Sequence, residues 1–170
     1  YGTDLALFDQ VIWNTQQGRL LENTIVVDAP VLLAQRFSPI LFAFIPLYAL
    51  YADPRILVVT PAAAVTVAAF PLYWFARRRV GRPLALVSVF AFLIAPGLQF
   101  IALSLFKEII LTIPFLMFAT TFLLQRRYLP FFSCLVVAIM CKEEVGLTAA
   151  AFGAYIFFIH RRYVLGGLLG

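Results

Sequence analysis

Charged residues are scarce in this chain, at 12% of 170 residues, whereas 64% are hydrophobic and the mean hydropathy is +0.98. A soluble domain carries about 25% charged residues, so these few charges cannot cover a surface that faces water. The same composition excludes an intrinsically disordered chain, because disordered chains are polar. We therefore expect lipid to be the solvent for most of the chain.

Histidine and cysteine are also rare, which excludes the usual metal-binding patterns. The chain has one histidine, His160, and two cysteines, Cys134 and Cys141, in one apolar run. It contains no CxxC pair, P-loop, GxGxxG, GxSxG or HExxH. The first residue is Tyr1, with no initiator methionine and no basic segment of the signal-peptide type. We expect the sequence to be a fragment of a longer polytopic protein.

Long apolar runs are abundant. A helix needs about 20 apolar residues to cross a bilayer, and two runs reach this length, 56–76 and 84–106, the second broken at Pro96-Gly97. Three shorter runs can cross where the bilayer is thinned or a cavity adjoins them. They are 109–124, 128–141 and 145–160.

A further run, 38–52, contains Pro46 and is typical of a short interfacial helix. The predicted fold is an all-α integral membrane protein, a polytopic helical bundle with short juxtamembrane helices. Residues 1–54 would form an external loop with these interfacial helices. Residues 55–170 would supply about five to six membrane-spanning helices within one transmembrane domain.

The two signs of charge are segregated along this topology. Arginine clusters at 77–79 with Arg82, at 126–127 and at 161–162 follow alternate spans and so share one side. The positive-inside rule places that side in the cytoplasm, so the protein is expected to be integral to the cell membrane. All eight acids fall on the opposite side. The positive charge is split into short clusters, so the pI of about 9.6 does not indicate nucleic-acid binding.

Asp9 is the most unusual acid. A helix over 4–17 would place Asp9 on one face with Leu5, Ala6, Phe8, Ile12 and Trp13, and Gln10, Asn14 and Gln17 on the other. A carboxylate on an apolar face needs a cation, a metal or hydrogen bonds, or it takes up a proton. This position makes Asp9 a candidate functional residue. The alternative is an interfacial acid that reaches water or caps a neighbouring helix.

Other groups on the acidic side have structural explanations. Glu108, and Glu143 with Glu144, each begin a predicted helix, where the helix dipole stabilises an acid. Lys142 ends the preceding helix, where a cation is equally favourable. Arg36 and Arg55 fit ordinary anchors at the membrane interface.

Four stretches resemble, in order, a bacterial membrane protein family called domain of unknown function 2079. They are DLALFDQVIWNTQQGRLLE, RFSPILFAFIPLYALYADPRILVV, FPLYWFARRRVG and CKEEVGL. The FDQxxWN block and the block from FSPIL to PLY are the more specific ones. That family is in turn similar to a branch of the glycosyltransferase C superfamily. The resemblance covers the chain from Asp4 to about Arg162.

This resemblance implies a glycosyltransferase that takes its sugar from a polyprenyl-phosphate donor at the outer face of the membrane. Its partners would be membrane lipids and the lipid-linked sugar. Asp9 would act as general base on the acceptor hydroxyl or, with Glu108 as second acid, bind a divalent metal such as Mg²⁺ or Mn²⁺. Basic groups would hold the lipid phosphate, because arginine binds phosphate through two parallel hydrogen bonds. The candidates are Arg36 and Lys142, followed by Lys107 and Arg55.

Two departures from the family leave other functions open. Family members often have Asp-His before FSP, where this chain has Gln35-Arg36, and a His-Pro-Glu-like stretch where it has 106–108. Loss of both histidines predicts an altered substrate or an inactive copy. The second hypothesis is a non-catalytic membrane scaffold or assembly protein with a structural Asp9. A transporter is less favoured, because no charge lies inside a predicted span.

Overall fold

The computed structural model describes residues 2–19, 38–50, 53, 55–104 and 106–168, and this part of the chain is helical, without strands. The predicted all-α class is confirmed for these residues. The elements, in chain order, are α1 (Gly2–Gln16), a first 3₁₀-helix (Pro39–Phe44), α2 (Ile45–Leu50), α3 (Arg55–Ile94), α4 (Pro96–Ala102), a second 3₁₀-helix (Glu108–Leu111), α5 (Thr112–Leu124), α6 (Tyr128–Cys141) and α7 (Val145–Leu168).

Helix α3 is the one described helix that is long and apolar enough to cross a membrane. Its backbone is not helical at Gly81, where φ is 82° and ψ is 171°, a conformation that glycine adopts without a steric penalty. The break divides α3 into segments 55–80 and 82–94, in agreement with the two long apolar runs of the sequence. The total of five to six spans stays a prediction, because α5 and α6 are shorter apolar helices.

The structure confirms the predicted helix break and places it at Ala95, one residue before Pro96-Gly97. Helix α3 ends at Ile94, and Ala95 has a non-helical ψ of 124° directly before Pro96, which begins α4. The ring of a proline disfavours helical geometry in the residue before it, so the interruption falls at Ala95. Proline also begins the first 3₁₀-helix, at Pro39.

The predicted faces of α1 were partly wrong. Trp13 is 48% exposed, whereas Asn14 is buried. The helix instead buries a stripe at helical spacing, and Asp9 lies at its edge, half-buried. The cause is the docking of α1 onto the first 3₁₀-helix and α2, which covers a face rotated from the one that hydrophobicity indicates. The stripe consists of Leu7, Phe8, Val11, Ile12 and Thr15.

Phe106 joins distant parts of the chain at one end of the bundle. Its ring packs edge-to-face against Phe8, with centroids 5.2 Å apart, and against Phe44 at 5.4 Å. Edge-to-face pairs of this kind are favourable beyond the area they bury. Tyr48 and Leu57 complete the same buried cluster. The cluster therefore fixes α1, the first 3₁₀-helix, α2, the start of α3 and the segment before α5 to one another.

Helices α3 and α5 run in parallel away from this cluster. Ile56, near the start of α3, and Leu111, directly before α5, pack on the cluster. Trp74 lies late in the first segment of α3 and Phe122 lies late in α5, and their rings are 5.9 Å apart. Helix α6 returns beside α5 and contacts both 3₁₀-helices. We call the end that contains Phe106 the aromatic end. We call the opposite end, with the turns 77–82 and 125–127, the arginine end.

Replacing Phe106 by alanine should destabilise the fold by about 3–5 kcal/mol, because the ring is fully buried between two others and its loss leaves a cavity. The measurement is the free energy of unfolding in detergent. Phe100→Ala is the matched control, since Phe100 is 75% exposed and should change stability little. Equal losses in both variants would contradict the role given to Phe106.

Candidate functional site

Asp9 is held by a hydrogen bond that the sequence does not indicate. The hydroxyl of Tyr48 on α2 donates to Oδ1 of Asp9 on α1 at 2.9 Å. Tyr48 is 2% exposed. Burial raises the pKa of Tyr48 well above its ordinary value, and the hydrogen bond to Asp9 and the charges of Asp9 and Asp53 raise it further. Tyr48 therefore stays a neutral donor at physiological pH and orients the carboxylate.

Asp53 continues this arrangement towards the start of α3. The backbone N–H of Arg55 donates to Asp53 Oδ1 at 2.8 Å, and the N–H of Ile56 donates to the Asp53 carbonyl at 3.1 Å. Short acids are favoured at helix starts for this bonding. Arg55 Nε lies 3.7 Å from Asp53 Oδ2, and the Arg55 side chain is 83% exposed, so this ion pair is weak.

The charge of Asp53 contributes to the raised pKa of Tyr48, so the pair of Asp53 and Arg55 lies in the neighbourhood of the Tyr48–Asp9 bond. We call Asp9, Tyr48, Asp53 and Arg55 the polar chain. It brings together the predicted catalytic acid and one of the predicted phosphate-binding cations. It runs from the half-buried face of α1 to an exposed guanidinium.

A groove of about 400 Å³ includes Arg55 of the polar chain in its lining. Leu47 lines it, while its neighbour Tyr48 bonds Asp9. The only hydroxyl in the lining, that of Thr60, already donates to the Ile56 carbonyl at 2.8 Å. The groove therefore presents hydrocarbon along its length and a positive charge at one end. Its lining consists of Leu47, Arg55, Ile56, Val59, Thr60 and Ala63.

Glu108 lies at the same end of the bundle. It belongs to the second 3₁₀-helix and is 2% exposed, and its charge reaches the thiol of Cys141 at the end of α6. It follows Phe106 by two residues, and Phe106 contacts Phe8, the neighbour of Asp9. The structure thus brings the two acidic segments together. A direct pairing of the Asp9 and Glu108 carboxylates stays a prediction.

The remaining predicted cations differ in their surroundings. Lys142 Nζ lies 3.1 Å from Glu144 Oε1, so its charge is already engaged. Lys107 is exposed beside Phe106 at the aromatic end. Arg36 lies outside the described residues. A phosphate at this end would therefore meet Lys107 and Arg55 first and Lys142 only in competition with Glu144.

The described residues contain no group of three or more His, Cys, Asp or Glu side chains that could form a dedicated metal site. Asp9 accepts a hydrogen bond from the Tyr48 hydroxyl, and the charge of Asp53 contributes to the raised pKa of Tyr48. A magnesium-type ion is usually held by one or two carboxylates together with substrate phosphates and water. These donors fit that mode of binding and not a protein cage.

Tyr48 and Asp53 were not among the predicted site residues. Tyr48 lies in the PLY part of the more specific second block, and Asp53 comes directly before the first long apolar run. An acid at that position is a signal for a helix start, but not for a site. Only the packing of α2 on α1 shows that the Tyr48 hydroxyl meets Asp9.

Tyr48→Phe should cost about 1.5–3 kcal/mol of unfolding free energy near neutral pH, because it removes a hydrogen bond to a carboxylate. The raised pKa favours protonated Tyr48 in the folded state. Its contribution is therefore complete below the ordinary tyrosine pKa of about 10 and declines as the pH rises above it. The stability difference between wild type and Tyr48→Phe should be constant from pH 7 to about 9.5 and shrink at pH 11.

The matched control for this experiment is Tyr128→Phe, since Tyr128 is exposed on α6. It should leave stability and its pH dependence unchanged. A Tyr48→Phe protein as stable as wild type at pH 7 would show that the bond to Asp9 contributes nothing.

Comparisons with known proteins now bear on the identity of the chain. No curated protein and no solved structure matches it. The model of one family, described as "Predicted membrane protein (DUF2079)", matches residues 2–169. This match spans nearly the whole chain, and the apolar helix α3 agrees with a membrane protein. The chain therefore belongs to the DUF2079 family of predicted membrane proteins.

Proposed function

We propose that this protein transfers a sugar from a polyprenyl-phosphate donor to an acceptor hydroxyl at the outer face of the bacterial inner membrane. The observation that carries the proposal is the half-buried Asp9 carboxylate, oriented by Tyr48 beside an apolar groove with Arg55 at its end. A lipid-linked donor needs this combination, because its chain is apolar, its phosphate is anionic and its sugar reacts with a hydroxyl.

In the proposed topology the shorter helices α5, α6 and α7 cross the membrane as well. The arginine end then faces the cytoplasm, as the positive-inside rule requires. The aromatic end, with Asp9, Asp53 and Glu108, faces outward. This orientation is supported by the parallel course of α3 and α5, which leaves the described acids and the arginine turns at opposite ends.

The donor would bind along the groove between α2 and α3. Its hydrocarbon chain would lie against Leu47, Val59 and Ala63, where burial of apolar surface favours binding. Its phosphate would lie at Arg55, whose guanidinium is exposed and can form two parallel hydrogen bonds to phosphate. Lys107 would support this contact from the neighbouring segment. Arg36 and Lys142 are the further proposed phosphate ligands.

Asp9 would act as the general base. Its Oδ2 would take the proton of the acceptor hydroxyl as that oxygen bonds to the anomeric carbon of the sugar. The bond between this carbon and the phosphate oxygen breaks, and its electron pair leaves with the polyprenyl phosphate. Tyr48 holds Oδ1 throughout, so the carboxylate keeps its direction. Arg55 would stabilise the negative charge on the departing phosphate.

A divalent cation such as Mg²⁺ or Mn²⁺ would give Asp9 an alternative role, that of a metal ligand instead of the general base. Asp9, with Glu108 or Asp53, would hold it together with the donor phosphate. When bound, such an ion supplies positive charge that stabilises the leaving group.

The second candidate is a non-catalytic scaffold or assembly protein. The same Tyr48–Asp9 bond would then serve to fix α1 to α2. A transporter is less favoured, because the polar chain lies at the end of the bundle, whereas transporters place such groups near the membrane midplane.

Asp9→Asn should lower sugar transfer by about 10²- to 10⁴-fold, the usual contribution of a general base, because an amide cannot accept the hydroxyl proton. Transfer would be measured in proteoliposomes with a panel of polyprenyl-phosphate hexoses and pentoses. Glu143→Gln is the control, since it removes an exposed acid at the same end and should retain wild-type transfer.

Two results would contradict the proposal. One is wild-type transfer by Asp9→Asn with an unchanged unfolding temperature. The other is the absence of transfer by the wild-type protein with every donor in the panel, which would favour the scaffold. Donor supplied to the arginine end alone should give no product if the outer face carries the reaction.

A further inference from the structure

The arginine end has a charge composition that the proposed sugar transfer does not use. Neither of its turns contains an acidic residue, and the arginine side chains of both turns are exposed. The acids Asp9, Asp53 and Glu108 lie at the aromatic end instead. The arginine end is therefore a surface of one sign. Its arginines are Arg77, Arg78, Arg79, Arg82, Arg126 and Arg127.

The two turns are parts of one surface because an aromatic contact joins the helices beneath them. The rings of Trp74 on α3 and Phe122 on α5 pack edge-to-face at 5.9 Å. Arg78 follows Trp74 by four residues, and Arg126 follows Phe122 by four. Arg78 therefore lies about one helical turn beyond the ring pair. The backbone N–H of Arg127 donates to the Phe122 carbonyl at 2.9 Å, which holds the second turn next to the same pair.

Aromatic rings also hold two of the guanidinium groups. Arg78 lies over the ring of Trp74 at 5.1 Å, and Arg79 lies over the ring of Phe75 at 5.5 Å. Cation–π contacts of this kind restrict the guanidinium while its N–H groups stay available for another ligand. Tryptophan is enriched at the level of lipid headgroups in membrane proteins. A membrane whose headgroups lie level with Trp74 would therefore bring its phosphodiester groups to fixed positive charges.

Gln125 is a further polar residue beside Arg126 and Arg127. It follows α5 directly, and its side-chain atoms Nε2 and Oε1 are shielded from solvent. Neither atom has a hydrogen-bond partner within the described part of the chain. A shielded amide without a partner is costly. Rotation of the side chain towards the surface would let Nε2 donate to a phosphate oxygen between the two turns.

We propose that the arginine end is a binding site for the phosphodiester headgroup of an anionic phospholipid, shared between the α3 turn and the α5–α6 turn. The lipid's acyl chains would lie along the exposed apolar side chains of the adjoining helices, such as Leu84 and Leu129. Each basic residue near an anionic membrane surface contributes about 1 kcal/mol to attraction, so the cluster should select anionic over zwitterionic lipid. This site is separate from the sugar-transfer site and does not depend on it.

Trp74 provides a direct reporter, because the chain has only two tryptophans, Trp13 and Trp74. In Trp13→Phe protein, Trp74 fluorescence would be quenched by dibrominated phosphatidylglycerol or dibrominated phosphatidylcholine in mixed bilayers. Half-maximal quenching of Trp74 should require a mole fraction of brominated phosphatidylglycerol about tenfold lower than that of brominated phosphatidylcholine. In Trp74→Phe protein, Trp13 reports the aromatic end and should show no such preference.

The double variant Arg126→Gln with Arg127→Gln tests the shared site. It leaves the Arg78–Trp74 contact in place but should lose most of the phosphatidylglycerol preference at Trp74. The conservative pair Arg126→Lys with Arg127→Lys should keep most of it, and Arg19→Gln, which removes an exposed arginine after α1, should keep all of it. If the glutamine pair does not fold, high salt provides the second measurement, because it should abolish the preference of the wild-type protein.

Several results would overturn the proposal. Equal quenching of Trp74 by both lipids excludes an anionic headgroup site. An unchanged preference in the folded glutamine pair excludes a site shared with the α5–α6 turn. Displacement of phosphatidylglycerol by inorganic phosphate alone would assign the arginines to a soluble anion instead of a lipid.

Discussion

The packing of Phe106 against Phe8 and Phe44 is the contact on which the arrangement of charged groups depends. These three rings come from segments far apart in the sequence, and each segment carries an ionisable side chain within a few residues. By holding the segments together, the rings place Asp9, Asp53 and Glu108 at one end of the helices. The pair of Phe8 and Phe106 connects α1 directly to the segment before α5.

A membrane environment explains why the few charges gather at two ends. The bilayer core cannot solvate them, so they are confined to turns and helix ends. At the aromatic end, Asp9 and Asp53 are partly buried and accept hydrogen bonds, from the Tyr48 hydroxyl and from the backbone N–H of Arg55. At the arginine end the cations are exposed, and two of them rest on aromatic rings. Buried, oriented acids suit chemistry, whereas exposed cations suit the recognition of headgroups.

The helical architecture follows largely from local sequence signals. The apolar runs predict the helices of the central region. Gly81, between the arginines at 77–82, and Pro96 mark where these helices are interrupted. The separation of acids from arginine turns was also predictable, because alternate apolar helices return the chain to the same end of the bundle. These features depend on periodicity and on residues close in sequence.

The site itself was less predictable, because it depends on contacts between distant segments. Tyr48 and Asp9 are separated by 39 positions, and their bond requires α2 to cross α1 at one particular angle. The same docking buries Asn14 and exposes Trp13, against the hydrophobic pattern of α1. Helical periodicity identifies which residues share a face, but it does not determine which face a short interfacial helix presents to its neighbours.

The central claim is that the aromatic end receives a lipid phosphate beside Asp9. The most direct measurement is an experimental structure of the full-length protein with a non-hydrolysable polyprenyl-phosphate sugar analogue. Our account predicts its phosphate within about 4 Å of the Arg55 guanidinium, its chain in the groove along α3 and its anomeric carbon facing Asp9. A groove without the analogue, or an analogue bound there with Asp9 turned away from the sugar, would contradict it.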